Sequence, residues 1–178
     1  MNNDSSSVSN RLSEQELNEL YESGNRRIIT ELDRITLVKI SELSSEYRKI
    51  VFSSAPYKRS IPWTLIQKSR LIESFLLNIP VVPIILSELN AKIYEIVDGE
   101  QRILAIVDFF TNNFQLEGLE SYVELNGMNY KELPRGIKNS LDKKHLQTKT
   151  ILLNPNTEFD PEVIKQTTYE RLNDWRIN

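Results

Sequence analysis

The sequence contains no cysteine and only one histidine, His145. The absence of thiols excludes a disulfide scaffold, a cysteine nucleophile and any zinc or iron–sulfur site with cysteine ligands. A single imidazole excludes multi-histidine metal sites and makes a Ser-His-Asp triad depend on His145 alone. The reactive groups that remain are carboxylates, arginines and backbone N–H groups.

Long apolar runs and a strong charge of one sign are also absent. No run approaches the roughly 20 apolar residues that span a bilayer, and residues 1–10 lack the basic start and apolar centre of a secretory signal. Lys and Arg total 22 while Asp and Glu total 25, so the net charge is −3, which argues against a polybasic binder. We therefore expect an intracellular, cytoplasmic protein without membrane contact.

Length and local composition predict one folded domain after a short N-terminal extension. The 178 residues suffice for one domain with a hydrophobic core. Residues 1–10 are rich in Asn and Ser and predict a disordered tail, and Ser13 to Ser23 predicts a short amphipathic helix that Gly24 ends. We assign the tail and this helix to residues 1–25 and the folded domain to residues 26–178.

Hydrophobic periodicity predicts strands and helices that alternate along the domain. Strands are predicted at residues 28–29, 81–86, 93–97 and 150–153, and a hairpin on an Asn-Gly type I′ turn is predicted within 122–130. Helices are predicted at 36–47, 64–79, 100–110, 134–146 and from Asp160 onward, with a capping box at Thr64 and Gln67. This pattern is typical of an α/β (α+β) domain, a small mixed sheet with flanking helices.

The strongest chemical signal is the predicted strand–turn–helix junction at residues 96–102. A helix N-terminus offers free N–H groups and a partial positive charge to a phosphate, and Gly99 permits close approach of a ligand to the backbone. Arg102 can donate to a phosphate through its planar guanidinium group. Asp98 and Glu100 supply the oxygen ligands that suit Mg²⁺.

A simpler interpretation of the same junction stays open. In it, Asp98 is only the N-cap of the helix and Gln101, three residues later, completes a capping box. Arg102 is then a solvated side chain. A capped helix start can still bind phosphate, so the two interpretations are compatible.

Two further segments are candidates for binding. Residues 56–63 combine two prolines, two aromatic residues and two cations, including Arg59, which suits the stacking of a base or the clamping of a phosphate. The alternative is that the aromatic residues are core anchors and Arg59 forms a surface ion pair. The predicted basic helix at 134–146, with Lys143 and Lys144, could contact nucleic acid or could simply be a solvated face.

Several motifs occur together in the order of one family. They resemble the DGQQR-motif domain of unknown function found at the N-terminus of GmrSD-type restriction enzymes and of related phage-defence proteins, over about residues 26–173. The motifs that carry the resemblance are Arg27-Ile28-Ile29-Thr30, Tyr57-Lys58-Arg59, Leu77-Asn78-Ile79-Pro80, Val97-Asp98-Gly99-Glu100-Gln101-Arg102 and Tyr169-Glu170-Arg171-Leu172-Asn173.

The resemblance implies a fold, a ligand and a set of site residues. The family is similar in fold to the ParB/sulfiredoxin superfamily, and residues 99–105 resemble the G-E-x-R-x-x-A box of ParB-type nucleotide-binding domains. This implies binding, and in an enzyme hydrolysis, of a nucleoside triphosphate with Mg²⁺, coupled to recognition or cleavage of DNA. By resemblance, the nucleotide-binding residues are Arg59, Asp98, Gly99, Gln101 and Arg102, the metal ligands are Glu100 and Asp98, and the catalytic residues are Asp98, Glu100 and Arg102.

The sequence departs from the family pattern at three places. The family usually has Gln where Glu100 and Lys58 stand, and the chain ends before a Q-E-x-R-N motif and before the HNH-type nuclease module of many relatives. We therefore expect a C-terminally short domain whose role in cleavage needs a nuclease-bearing partner chain or its own site. Two alternatives stay open: a non-catalytic DNA- or partner-binding regulatory module, and a stand-alone metal-dependent DNA nuclease that uses Asp98 and Glu100. A homodimer is a further expected partnership.

Overall fold

A five-stranded mixed sheet with helices on both faces forms the body of the protein. The computed structural model describes residues 11–45, 49–58, 61–90, 92–152 and 154–174. The strands are β1 (Thr30–Thr36), β2 (Ile50–Val51), β3 (Ile84–Asn90), β4 (Ile93–Asp98) and β5 (His145–Ile151). The helices are α1 (Glu14–Glu22), α2 (Leu37–Ser45), α3 (Leu65–Leu77), α4 (Glu100–Phe110), α5 (Arg135–Asp142) and α6 (Pro161–Asp174), with short 3-10 turns at Val123–Leu125 and Tyr130–Glu132.

The sheet mixes parallel and antiparallel pairs. Its strand order is β1-β5-β3-β4-β2. The β1–β5 and β3–β4 pairs are antiparallel, whereas β3 runs parallel to β5 and β2 runs parallel to β4. The expected mixed α/β architecture is therefore confirmed. No helix within the described residues has the length and apolar character needed to cross a membrane.

The two faces of the sheet bury two unequal cores. Successive side chains of a strand point to opposite faces, and Ile96 accordingly joins the main core with residues of α2, α3 and α4. Val97, its neighbour on β4, joins a smaller cluster with Ile151 of β5 and Ile164 of α6. Because β4 ends between these layers, the turn that follows it lies beside both α4 and α6.

The capping box predicted at Thr64 and Gln67 forms, and the starts of α1 and α6 are also capped. Ser13 and Thr64 each complete a capping box at the start of α1 and α3, and the backbone N–H of Glu162 donates to Asp160 Oδ1 at 2.8 Å. α3 ends at Leu77, because Asn78 adopts the left-handed conformation with φ of 59°. The predicted stop at Pro80 is thus two residues too late.

Four boundaries predicted from periodicity are wrong. Residues 28–29 precede a strand that runs from Thr30 to Thr36, whose side chains are mostly exposed and give no apolar alternation. Residues 81–83 lie outside β3, so Pro83 leaves no gap in its ladder. The helix predicted at 134–146 ends at Asp142, and residues 145–151 form β5, with buried and exposed residues alternating over most of its length.

The predicted hairpin at 122–130 is also absent from this described segment, which contains two 3-10 turns instead. Its polar groups bond to the preceding loop rather than across a two-stranded ladder. Asn126 Oδ1 accepts from the N–H of Leu119 at 3.1 Å, and Gly127 donates to the carbonyl of Leu116 at 2.8 Å. Asn126 has a negative φ of −57°, which a type I′ turn does not allow.

Candidate functional site

A pocket of about 220 Å³ lies where β4 runs into α4. The turn at residues 98–102 forms one wall of this pocket, the segment around Lys58 and Trp63 forms a second, and Tyr169 and Asn173 of α6 complete it. Three parts of the chain that are distant in sequence therefore meet at the junction that the sequence indicated.

Glycine is required at the turn itself. Gly99 has a φ of +100°, which residues with a side chain rarely adopt. A Cβ atom at this position would lie 2.5 Å from Ile84 Cγ2 and 2.9 Å from Arg102 Nη2. Gly99 is also the N-cap residue of α4, and it has no side chain that could cap this helix start. The positive end of the helix dipole is thus presented beside the pocket.

Asp98 and Arg102 form a buried ion pair across this turn. Arg102 Nη2 donates to Asp98 Oδ2 at 2.7 Å and to the carbonyl of Pro83 at 3.2 Å. Each of the two residues is 8% exposed. The interpretation of Arg102 as a solvated side chain is therefore wrong, and the guanidinium group is held in one orientation at the pocket wall.

The capping box proposed for this helix does not form. Gly99, not Asp98, is the N-cap residue. The side chain of Gln101 instead reaches the facing segment, where its Oε1 accepts from the backbone N–H of Trp63 at 3.0 Å. Gln101 therefore fixes the distance between two walls of the pocket.

Lys58 adds a cation to the pocket. Its ammonium group donates to the carbonyl of Ile96. Burial lowers the pKa of Lys58, and the nearby carboxylates of Glu95 and Glu100 offset only part of that effect. The sequence analysis included Lys58 as one of the two cations of the 56–63 segment, but it assigned phosphate binding only to Arg59.

The pocket offers few ligands to a metal. Within the described residues, no group of three or more His, Asp or Glu side chains could hold a metal ion. Asp98 is already engaged by Arg102, which leaves Glu100, the half-buried first residue of α4, as the principal carboxylate of the pocket. Mg²⁺ commonly binds through one or two carboxylates plus substrate phosphates, so this donor set fits Mg²⁺ only together with a phosphate ligand.

A second charged cluster fixes α6 against the sheet below the pocket. Lys165 is 3% exposed and forms ion pairs with Glu95 of β4 and with Glu162. Burial lowers the pKa of Lys165, but its bonds to the two carboxylates outweigh burial and hold that pKa above its ordinary value.

One turn further along α6, the ring of Tyr169 packs against Tyr57 at 5.6 Å between centroids. These contacts bring Tyr169 and Asn173 to the pocket.

The other predicted residues have different outcomes. Arg59, the predicted second phosphate contact, lies outside the described residues. Lys143 and Lys144 follow α5 and line a separate cavity of about 380 Å³. Arg171 is exposed on α6 and does not line the pocket at residues 98–102.

The fold and the pocket together define a mixed α/β domain with a charged cleft at a strand–turn–helix junction. The family model described as "GmrSD restriction endonuclease, N-terminal domain" matches residues 40–177. The chain therefore belongs to the family of GmrSD restriction endonuclease N-terminal domains, which implies a restriction or phage-defence context acting on DNA. Searches of curated proteins and of solved structures gave no match.

Proposed function

We propose that this domain binds a nucleoside triphosphate together with Mg²⁺ at the 98–102 pocket, and that it is the nucleotide-binding module of a DNA restriction or phage-defence system. The observation that carries the proposal is the N-terminus of α4, which begins at Gly99, a residue without a capping side chain, beside the buried Arg102. Backbone N–H groups at a helix start and a fixed guanidinium group are a recurrent combination for phosphate binding.

Each residue of the turn has a distinct role in this proposal. The N–H groups that follow Gly99 and the guanidinium of Arg102 bind phosphate oxygens, while Asp98 orients Arg102 through the 2.7 Å bond. Glu100 holds Mg²⁺, with the phosphates supplying further ligands. The metal neutralises phosphate charge when it is bound. Arg59 is proposed as a second phosphate contact.

Pocket size indicates which part of the ligand is enclosed. Small-molecule sites typically measure about 300–1,000 Å³, whereas this pocket measures about 220 Å³. We therefore propose that the phosphates and the metal occupy it and that the nucleoside extends along Trp63, which is half-buried. An aromatic ring at this position can stack on a base without selecting one.

Three finer assignments belong to the same proposal. The mixed sheet and the position of residues 99–105 at the strand–turn–helix junction support a ParB/sulfiredoxin-like fold. Hydrolysis is proposed as the consequence of binding, with Arg102 stabilising charge on the transferred phosphoryl group. DNA, a nuclease-bearing chain and a second copy of the domain are the proposed partners.

Calorimetry and thermal unfolding test the proposal. We expect at least one of the four nucleoside triphosphates with Mg²⁺ to raise Tm by about 5–10 °C at 100 times its Kd. Arg102→Lys should abolish most of this shift, because Lys lacks the planar fork that Arg102 presents. Glu124→Gln, at an exposed position, is the matched control. The proposal fails if no triphosphate shifts the Tm of the wild-type protein.

Phosphate release in the same samples separates binding from hydrolysis. Release that depends on Mg²⁺ and is lost in Glu100→Gln would support an enzyme. Binding without release would leave a nucleotide-responsive module without NTPase activity.

A further inference from the structure

Lys58 occupies a position that no assigned role explains. It lies 38 residues before Ile96 in the chain, yet its ammonium group donates to the Ile96 carbonyl near the end of β4. The side chain is half-buried and lines the same pocket as Glu100 and Arg102. Lys58 therefore reaches the pocket from a part of the chain that is distant in sequence from the α4 N-terminus.

The charged side chains of the pocket differ in whether they form ion pairs within the described residues. Arg102 and Asp98 neutralise each other in a buried ion pair. Within the described part of the chain, the Lys58 ammonium group makes no ion pair with a carboxylate, and its single hydrogen bond goes to a neutral carbonyl. An ammonium group carries three donors, so Lys58 retains donors for a ligand while it keeps the bond to Ile96.

We propose that Lys58 is an anion-binding residue of the pocket and that it contacts the phosphate chain of a polyphosphate ligand that Arg102 also binds. This inference deepens the proposed nucleotide function and rests on it for the identity of the ligand. A polyphosphate chain fits because it presents several oxygen atoms to two cations that line one small cavity.

The charge balance explains why this cation matters. Lys58 and Arg102 together offset Asp98 and Glu100, so the described side chains that line the pocket sum to zero charge. Without Lys58 the sum becomes −1 and the pocket repels phosphate. Because Lys58 is partly desolvated, its charge acts through a medium of lower effective dielectric than water, which strengthens its attraction for an anion.

Calorimetry with inorganic tripolyphosphate, the four nucleoside triphosphates with Mg²⁺ and the corresponding nucleosides tests this inference. Lys58→Gln should weaken triphosphate and tripolyphosphate binding by about tenfold to a hundredfold, the range of one charge-assisted hydrogen bond. Lys58→Arg should restore affinity to within about threefold of wild type. Lys131→Gln, at an exposed site, should bind like wild type. Thermal unfolding without ligand checks that each variant is folded.

The outcomes separate this inference from the proposed function. If the protein bound tripolyphosphate through Lys58 but bound no nucleotide, the anion-binding role of Lys58 would be supported and the nucleotide proposal would be refuted. Nucleotide binding of equal strength in the wild type and in a folded Lys58→Gln variant would refute the role of Lys58 and leave the nucleotide proposal standing. A wild-type protein that binds no tripolyphosphate and no triphosphate would overturn both.

Discussion

At the scale of the residue, Glu73 shows how one buried carboxylate organises a loop. It lies on α3, is 5% exposed, and accepts hydrogen bonds from the backbone N–H groups of Glu120, Ser121 and Tyr122 at 2.8–3.3 Å. Burial raises the pKa of Glu73, but the three N–H donors and the nearby Arg70 outweigh burial and leave the pKa below its ordinary value. The ionised form is therefore the one that the fold stabilises.

Glu73→Gln should destabilise the protein by about 1–3 kcal/mol at pH 7, because charge-assisted bonds are replaced by neutral ones. Since the folded pKa is lowered, the stabilisation by Glu73 is present above the unfolded pKa and is lost as the pH falls through the folded value. The difference in free energy of unfolding between wild type and Glu73→Gln should thus shrink below about pH 4.

Urea unfolding from pH 7 to pH 3 measures this difference directly. Glu124→Gln, which changes an exposed carboxylate, should follow the wild-type curve. A difference between wild type and Glu73→Gln that stays constant down to pH 3 would show that the Glu73 charge does not stabilise the loop.

At the scale of the element, local signals predicted helix starts better than strand boundaries. Thr64 caps its helix as predicted, and Asp160 caps the helix predicted to start there, because a cap is a contact between residues two or three positions apart. β1 gave no apolar signal, since it lies at an edge of the sheet and Leu32 is 67% exposed. The segment 143–146 was assigned to a helix because its lysines extend the basic run of α5, whereas pairing with β1 makes residues 145–151 a strand.

The attachment of α6 depends on a buried charge. Lys165→Met should cost about 3–5 kcal/mol of unfolding free energy, because it leaves the Glu95 carboxylate, whose side chain is 13% exposed, without its partner. The same change should weaken nucleotide binding, since α6 carries Tyr169 and Asn173 to the pocket. Urea unfolding and calorimetry measure the two effects.

Two companion variants make the Lys165 prediction specific. Glu162→Gln should cost less than about 1 kcal/mol, because the Glu162 side chain is 69% exposed. Glu95→Gln combined with Lys165→Met should recover part of the loss, since no uncompensated charge then remains in the interior. Equal losses for Lys165→Met and Glu162→Gln would contradict the role given to the buried amine.

At the scale of the whole molecule, the sequence predicted the site only where its residues are contiguous. Residues 98–102 were identified because their chemistry falls within a single turn. The contributions of Lys58 and of Asn173 depend on how the 56–63 segment and α6 pack against β4, which no local pattern reports. The Asp98–Arg102 ion pair was not predicted. Charged residues four positions apart are expected to pair when both lie on one helix, but Asp98 is the last residue of β4.

The boundary of the folded domain gives the last prediction. α1 buries no residue, and its contacts with the rest of the chain include the exposed Arg27 guanidinium, which lies 4.5 Å from the centre of the Tyr21 ring. Removal of residues 1–23 should therefore lower Tm by no more than about 2–4 °C, the effect of roughly 1 kcal/mol. Removal of residues 1–36 also deletes β1, which pairs with β5 along seven residues, and should abolish cooperative unfolding. Calorimetric scans of the two truncated proteins measure both effects. If removal of residues 1–23 abolished cooperative unfolding as removal of residues 1–36 does, α1 would be part of the folded domain. Its exposed contacts would then stabilise the domain more than its lack of buried residues indicates.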